Sequence, residues 1–172
     1  MLTYQSEYGL LKSVLLKHVK DAFRNQEYIS KHWKELNYLS EPDFSKAVDE
    51  YDRFIEIFLS RNIEVQLLPF SESTGMDSIY VRDASLVTDK GTFICNMGKA
   101  QRVEEPKQEL EHYLKQGIPV LGTCDGGDTI EGGDVAWLSE NVVAVAEGYR
   151  TNAGGIERLK EIFNCSWANV QP

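Results

Sequence analysis

The chain has 172 residues, of which 42% are hydrophobic and 26% charged, a composition typical of ordinary globular domains rather than disordered or fibrous chains. Asp and Glu outnumber Lys and Arg by 27 to 18, giving a net charge of −9, and no stretch gathers basic residues, which argues against a nucleic-acid partner. Apolar runs such as residues 142–145 are far shorter than the ~20 residues needed to cross a bilayer, and the N-terminus lacks a signal-peptide core, so we predict a cytoplasmic protein without a membrane partner.

The first third of the chain predicts a strand, a helix and a second strand. Residues 13–18 and 63–68 are the strand candidates, and apolar residues recur at helical spacing along residues 44–59 between them. Pro42 fits the first turn of this helix. Residues 21–41 are polar and aromatic with little periodicity, so we predict an irregular excursion there.

The middle of the chain opens with the motif DSIYVRD at residues 77–83. Two β-prone runs follow, at residues 84–88 and 92–96, and the DKG turn that separates them predicts a β-hairpin. Residues 104–116 carry apolar side chains four apart, and Gly117 is a plausible stop, so a helix is predicted after the hairpin.

The last third repeats this arrangement, starting from a second copy of the motif at a constant offset of 51 residues. Residues 128–134 read DTIEGGD, so both copies follow the pattern Asp-Ser/Thr-Ile-x-x-x-Asp. Residues 135–138 and 142–146 predict a second hairpin, and residues 152–163 a helix with Asn152 as its N-cap.

These recurrences predict an α/β fold built from repeated ββαβ units. The N-terminal third is a less regular copy, so the approximate units are residues 1–70, 77–121 and 128–172, in a single domain because no Pro- or Gly-rich linker separates them. Such units are stable only when they pack against neighbours or close into a ring. Three units leave two open ends, which either a homo-oligomer or further sequence beyond Pro172 would close.

Acidic residues fall where the predicted strands begin and end, so a ring of such units would point them toward a common centre. They are Asp77, Asp83, Asp128, Glu131 and Asp134. So many like charges repel one another in a low-dielectric site unless a cation lies among them. Magnesium or calcium is one candidate, but the spacing matches no EF-hand loop and no His lies in the cluster.

A guanidinium or ammonium substrate is the better fit for this acidic centre. Carboxylates accept bidentate hydrogen bonds from a guanidinium group. An arginine also follows each predicted hairpin, and Arg102 and Arg150 could bind a substrate carboxylate in the same bidentate way. The residues therefore favour an amino acid with a cationic tail, and they imply no metal and no cofactor.

Three ordered segments resemble the consecutive motifs of a known superfamily. They are DSIYVRD at 77–83, EGGD at 131–134 and YRTNAGG at 149–155. They are similar to the motifs of the guanidino-group-modifying enzymes, or penteins, which include dimethylarginine dimethylaminohydrolase, arginine deiminase and the amidinotransferases. The resemblance implies a five-bladed α/β propeller of ββαβ units around a polar pocket, of which this chain would form a partial propeller of about three units.

The resemblance also implies roles for individual residues. Glu131 matches the catalytic glutamate, which binds the guanidinium and helps to move protons. Asp83 matches the aspartate that holds the guanidinium, and Asp77 matches one that contacts the substrate. The partner implied is therefore a small guanidino compound.

Three further positions complete the substrate-binding set that the resemblance implies. Arg102 and Arg150 match the arginines that receive the substrate carboxylate, and Asp134 is a supporting member of the site. Arg82 departs from the dimethylarginine hydrolases, which commonly have an acidic residue there, whereas arginine deiminases and amidinotransferases more often have Arg. The substrate thus stays open among arginine, methylated arginine and smaller guanidines, and the acceptor between water and an amine.

The superfamily's chemistry also needs a thiolate and a histidine downstream of the Arg-Thr-Asn motif, and neither is found at the expected place. The histidines are His18, His32 and His112, for which we predict surface or edge positions. The cysteines are Cys95, Cys124 and Cys165, which lack Cys-x-x-Cys spacing and are expected to be reduced.

We therefore predict the N-terminal, substrate-binding part of an enzyme that acts on the guanidino group of arginine or a methylated arginine. Its catalytic Cys and His would lie outside this chain, which would be inactive alone. Two alternatives stay open: an amidinotransferase, and a non-catalytic module that senses arginine or serves in assembly.

Overall fold

The computed structural model describes residues 7, 9–139 and 142–163 and the backbone of residues 166–170. In chain order its elements are β1 (Ser13–Leu16), α1 (Val19–Phe23), α2 (Gln26–His32), α3 (Phe44–Leu59), β2 (Glu64–Leu67), β3 (Ser85–Val87), β4 (Thr92–Ile94), α4 (Glu105–Lys115), β5 (Val120–Thr123), β6 (Val135–Ser139), β7 (Val142–Ala146), α5 (Ala153–Ile162) and β8 (Ser166–Val170). They divide into two compact units, Leu10–Val81 and Arg82–Pro172 with Met1–Gly9. This mixed composition confirms the predicted α/β class.

The unit Leu10–Val81 is a strand-helix-strand arrangement, as predicted. Strand β1 pairs in parallel with β2, in a register that runs from Ser13 opposite Glu64 to Leu16 opposite Leu67. Helix α3 connects the two strands and begins at Asp43, whose Oδ1 accepts the backbone N–H of Lys46 over 2.8 Å. A helical crossover of this kind is the usual way to join two parallel strands.

The predicted irregular excursion at residues 21–41 is wrong in part, because α2 and most of α1 lie within it. Each of these helices is only five or seven residues long, too short to show a periodic apolar face. Side-chain caps begin both helices: His18 Nδ1 accepts from Lys20 N over 3.0 Å, and Asn25 Oδ1 accepts from Tyr28 N over 2.8 Å. His18 is therefore buried and not at the surface.

The core of this unit lies around α1, and the apolar face of α3 packs against it. Its buried members are Val19, Ala22, Phe23, Ile29 and Met76. Partly buried aromatic and aliphatic side chains surround them, including Tyr51 and Val48 of α3. Because His18 Nδ1 accepts from Lys20, its Nε2 donates a hydrogen bond to Asp52 Oδ1 over 2.8 Å, which joins the start of α1 to α3.

The unit Arg82–Pro172 contains the predicted ββαβ arrangement twice. Strand β3 is antiparallel to β4, which is parallel to β5 across α4. Strand β6 is antiparallel to β7, which is parallel to β8 across α5. These two segments therefore form two three-stranded sheets of the same topology, with strand orders β3-β4-β5 and β6-β7-β8.

A shared core joins these two sheets and α5. It includes Phe93 of β4, Val143 and Val145 of β7, and Leu159 of α5, with Trp137 packed against it. Helix α5 begins where predicted, since Asn152 Oδ1 accepts the backbone N–H of Gly155 over 2.9 Å. None of the helices in the described ranges is long and apolar enough to span a membrane.

Candidate functional site

The two copies of the repeated motif fold in the same way at their acidic ends. Val81–Asp83 and Gly132–Asp134 are both short 3₁₀ helices, and each leads into the first strand of a hairpin. Asp83 and Asp134 therefore occupy equivalent positions in the two repeats. This symmetry brings their carboxylates to the same region of the unit Arg82–Pro172.

Five of the predicted site residues meet there in what we call the arginine–carboxylate cluster: Asp83, Arg102, Glu131, Asp134 and Arg150. Glu131 is fully buried at its centre. Its Oε2 lies 3.0 Å from Arg150 Nη1 and 3.9 Å from Arg102 Nη1. Two guanidinium groups thus face the carboxylate that the sequence predicts to be catalytic.

Arg102 is almost completely buried, with 3% of its surface exposed. Its Nη1 lies 2.6 Å from Asp83 Oδ2, while Nε and Nη2 donate to the carboxylate of Glu105 over 2.7 to 3.1 Å. Burial opposes the charged form of Arg102, but its bonds to Glu105 and Asp83 outweigh this, so the pKa of Arg102 lies above its ordinary value. The guanidinium is therefore permanently charged and held from two sides.

Arg150 belongs to the second half of the cluster and is more exposed, with 34% of its side chain accessible. Its Nη2 lies 3.3 Å from Asp134 Oδ1. The hydroxyl of Thr151 donates to Asp134 Oδ2 over 2.7 Å and accepts the backbone N–H of Glu131 over 3.1 Å. Thr151 thereby connects the backbone of Glu131 to the carboxylate that partners Arg150.

Glycines allow the backbone to approach these side chains closely. A Cβ on Gly133 would lie 2.6 Å from Asp83 Oδ1, and one on Gly132 would lie 2.0 Å from the carbonyl oxygen of Arg82. Gly98 donates its backbone N–H to Glu131 Oε1 over 3.2 Å. The glycine pair at residues 132–133 therefore marks a close approach of the backbone to protein groups.

Burial governs the protonation of Glu131. Desolvation raises its pKa above the ordinary value, and the nearby Asp83 adds to this, while Arg150 and Arg102 act in the opposite direction. A glutamate with a raised pKa exchanges a proton more readily near neutral pH than an exposed one. This property suits the role in proton transfer that the resemblance predicts.

A second buried acid, Glu109, lies one turn after Glu105 on α4 and is 2% exposed. Its Oε2 has no hydrogen-bond partner among the described residues. Burial raises the pKa of Glu109 to about 8, because it outweighs the hydrogen bond to Ser85 and the charge of Arg102, which lower the pKa, while Glu105 and Asp83 add to the rise. Glu109 is therefore a neutral carboxylic acid at neutral pH.

Two predicted acids lie outside the cluster. Asp77 belongs to the unit Leu10–Val81, where it is buried in the 3₁₀ helix Met76–Ile79, and it helps burial to raise the pKa of Tyr38. The side chain of Asp128 lies next to the first turn of α5 in space, where a Cβ on Gly154 would be 2.0 Å from Asp128 Oδ1. The roles predicted for the site residues stay predictions.

Arg82, the departure noted in the motif, connects the two repeats. Its Nη1 donates to the carbonyl of Gly132 and its Nη2 to the carbonyl of Val135, the latter over 2.9 Å. Nη2 also donates to Glu7. The guanidinium of Arg82 thus bonds backbone carbonyls around the second copy of the motif.

The cysteines in the described part of the chain are poor nucleophiles. Cys95 and Cys124 are both free thiols in the core. Burial, with nearby carboxylates, raises the pKa of Cys95 well above its ordinary value and that of Cys124 to about 11. Cys165 lies outside the described residues. Within residues 9–139 and 142–163, no group of His, Cys, Asp and Glu side chains is arranged to hold a metal ion.

Sequence reasoning missed three contributors to the cluster: Gly98, Glu105 and Thr151. Thr151 lies within the recognised Arg-Thr-Asn motif, so its position carried a signal. Glu105 lies three residues after Arg102, a spacing that permits an ion pair on a helix but does not identify one. The contact of Gly98 with Glu131 joins residues far apart in sequence, and no local pattern reveals it.

Comparison with known proteins identifies the family. The family model described as N,N dimethylarginine dimethylhydrolase, eukaryotic, matches residues 20–171. An uncharacterised protein of Bacillus subtilis, YkgA, is 29% identical over 162 residues, which cover 91% of this chain and 53% of that protein. The N(G),N(G)-dimethylarginine dimethylaminohydrolase of Pseudomonas aeruginosa is 27% identical over 143 residues, covering 74% of this chain and 56% of that enzyme. The chain thus spans little more than half the length of these relatives.

Solved structures share the fold. The Pseudomonas aeruginosa enzyme, crystallised as a cysteine-to-serine mutant with citrulline, superposes with a TM-score of 0.75 at 22% identity and covers 95% of this chain and 62% of its own. SxtG, an amidinotransferase from Microseira wollei, superposes with a TM-score of 0.70 at 12% identity, covering 99% of this chain and 63% of its own. With the family match over residues 20–171, the chain belongs to the N,N dimethylarginine dimethylhydrolase family, within the superfamily of guanidino-group-modifying enzymes.

Proposed function

We propose that this chain is the N-terminal, substrate-binding part of an enzyme that hydrolyses a C–N bond in the guanidino group of arginine or a methylated arginine. One observation carries the proposal: two guanidinium groups of the protein's own arginines already face Glu131 Oε2, at 3.0 and 3.9 Å. An acidic cluster that accommodates guanidinium groups has the chemistry to recognise a guanidino substrate.

The charge balance of the cluster supports the same substrate. In the contacts described above, Asp83, Glu131 and Asp134 face the guanidinium groups of Arg102 and Arg150, and the carboxylate of Glu105 adds a fourth negative charge beside Arg102. A cationic ligand would relieve this excess. The substrate guanidinium would be held by Asp83 and Glu131, and Asp77 is proposed as a further substrate contact from the family motif alone.

Arg150 is our proposed receptor for the substrate carboxylate. It is accessible to a third of its side-chain surface and is attached to Glu131 and Asp134 by single contacts of 3.0 and 3.3 Å. The family motif predicts the same role for Arg102, whose guanidinium also contacts Asp83 and Glu105. Asp134 and Thr151 would then support Arg150 on the side away from the substrate.

The reaction proposed for the complete enzyme needs a thiolate and a histidine from residues outside this chain. The sulfur forms a bond to the guanidinium carbon, and the C–N bond to the leaving amine breaks as the histidine gives that amine a proton. Water then displaces the sulfur, which restores the thiolate and leaves a ureido product. Glu131 would hold the guanidinium and exchange protons with the attacking water.

Binding and turnover test the proposal separately. We expect the 172-residue chain to bind L-arginine or asymmetric dimethylarginine in an NMR titration and Glu131→Gln to weaken that binding at least about tenfold. Glu147→Gln, an exposed carboxylate, is the matched control. Absence of binding by the unmodified chain would contradict the proposed function, and steady ureido formation would contradict the assignment of the nucleophile to residues outside it. In the complete protein, transfer of the amidino group to an added amine in place of water would favour the amidinotransferase alternative.

A further inference from the structure

Helix α3 has an apolar surface that faces solvent. Its 16 residues are all described by the structure, and none of them is buried. Phe54 and Ile57 are 41% and 50% exposed. The ring of Phe54 packs edge to face with those of Phe58 and Tyr51, at centroid distances of 4.8 and 5.6 Å, so the apolar surface is continuous along the helix. A continuous exposed apolar surface is a feature of protein–protein interaction sites.

Four exposed residues form a line along this surface, which we call the α3 seam: Glu50, Phe54, Ile57 and Arg61. Their successive spacings of four, three and four residues are those of the contact positions in a coiled coil. Helical residues at these spacings lie within about 60° of one another around the helix axis. Arg61 follows the end of α3, and its Nη1 donates to the carbonyl of Ile57 over 2.9 Å, so its guanidinium lies beside the last apolar member of the seam.

The order of charges along the α3 seam indicates what it can bind. The spacing reads the same from either end, with an acid first, two apolar residues in the middle and a base last. A second copy laid antiparallel along the seam would place its Ile57 opposite Phe54. The same arrangement would place its Arg61 opposite Glu50, whereas a parallel one would bring like charges together. Glu50 also lies 3.8 Å from Lys46, but both side chains are exposed, so this contact is weak.

We propose that the α3 seam is the interface of a symmetric homodimer, in which a second copy of this chain packs antiparallel along it. The two-fold axis would pass between Phe54 and Ile57, so each contact would occur twice. The seam extends over about three helical turns, which is small for an interface, and we expect a weak dimer with a Kd on the order of 10 to 100 μM. This inference does not depend on the proposed function.

Sedimentation of the 172-residue chain tests the dimer. Its weight-average mass should rise from 19.5 kDa toward twice that value as the concentration increases from about 5 to about 500 μM. Ile57→Gln should raise the Kd at least about tenfold, because it places a polar group in the middle of the seam. Leu59→Gln is the matched control, since Leu59 is an equally exposed aliphatic residue of α3 that points away from the seam, and it should leave the Kd within about twofold.

A charge exchange tests the antiparallel arrangement. Arg61→Glu alone and Glu50→Arg alone should each raise the Kd, because both ends of the seam then carry like charges. The double variant Glu50→Arg/Arg61→Glu should recover most of the loss, since the opposite charges meet again. Urea unfolding of each variant shows that the folded state is retained, so that a loss of folded protein does not count as a loss of association.

A direct contact measurement keeps the proposal testable if a variant does not fold. In an equal mixture of isotope-labelled and unlabelled chain, nuclear Overhauser effects between the two forms should join the ring of Phe54 to the methyl groups of Ile57. A chain that stays monomeric over the whole concentration range would overturn the proposal and leave this surface to a partner other than a second copy. Equal effects of Ile57→Gln and Leu59→Gln, no recovery in the double charge variant, or a dimer without the intermolecular signals would overturn it as well.

Discussion

Gly98 donates its backbone N–H to Oε1 of Glu131 over 3.2 Å, so a residue without a side chain helps to fix the orientation of the central acid. The same glycine lies against the backbone of Arg150, where a Cβ would come within 2.6 Å of Cα and 2.7 Å of the carbonyl oxygen. Backbone atoms cannot move aside as a flexible side chain would. Any larger residue at this position must therefore displace the segment that carries Arg150.

We expect Gly98→Ala to destabilise the chain by about 1–3 kcal/mol, the usual cost of forcing an extra carbon into a packed site. Urea unfolding measures the change. Gly148→Ala is the control, because nothing lies within 4 Å of a Cβ there, and it should change stability by less than about 0.5 kcal/mol. If Gly98→Ala and Gly148→Ala changed the unfolding free energy equally, the predicted clash with the backbone of Arg150 would be wrong.

The hydroxyl of Thr151 is fully buried and has two partners, Asp134 and the backbone of Glu131. Thr151→Val keeps the shape but leaves that N–H and one carboxylate oxygen without this partner, so we expect a loss of about 1–3 kcal/mol. Thr123→Val, on strand β5, is the control, because the Thr123 hydroxyl has no hydrogen bond to any residue that the structure describes. Chemical denaturation measures the unfolding free energy of both variants. If Thr151→Val loses no more than Thr123→Val, the hydrogen bonds of Thr151 to Glu131 and Asp134 do not stabilise the chain.

Asn152 joins the start of α5 to residues 127–129 through one side chain. Its Oδ1 accepts from the backbone N–H groups of Gly155 and Thr129, and its Nδ2 donates to the carbonyl of Gly127. Asn152→Ala should cost about 2 kcal/mol in unfolding free energy, the upper range for a lost N-cap. Asn152→Asp retains the cap acceptor but not the donor, so it should recover part of the loss, and thermal unfolding of both variants checks the order.

Glu109 gives stability a pH dependence of predictable sign. The folded chain keeps the proton on Glu109 up to a pKa of about 8, whereas the unfolded chain releases it near 4.5. Between these values the folded state binds more protons, so the contribution of Glu109 is fully present below pH 4.5 and is lost as the pH rises toward 8, by an amount on the order of a few kcal/mol.

Glu109→Gln tests this dependence, because glutamine resembles the neutral acid and does not titrate. The unfolding free energy of the native chain minus that of Glu109→Gln should fall steadily from pH 5 to pH 8. Glu111→Gln, with an exposed carboxylate on the same helix, should show no such slope. A difference that stays constant with pH would mean that Glu109 is ionised in the folded state.

The two hairpins and the Asn152 cap could be predicted, because local alternation, turn residues and capping chemistry determine them. Helices α1 and α2 could not, since each is shorter than the span over which a periodic apolar face becomes visible. The gathering of Asp83, Glu131 and Arg150 followed from the repeat, which places equivalent residues at equivalent points of each unit. The ion pair of Arg102 with Glu105 did not, because a spacing of three residues allows the two side chains to meet without showing that both are buried.

Hydrogen bonds join the two ββαβ repeats to each other. The side chain of Arg82 bonds carbonyls around the second motif, and the backbone N–H of Ile130 donates to the carbonyl of Asn96 over 3.0 Å. These bonds cross from one repeat to the other, so neither repeat can open without breaking them. The backbone amides of both repeats should therefore lose their protection from hydrogen exchange in a single cooperative step, because the two repeats unfold as one unit.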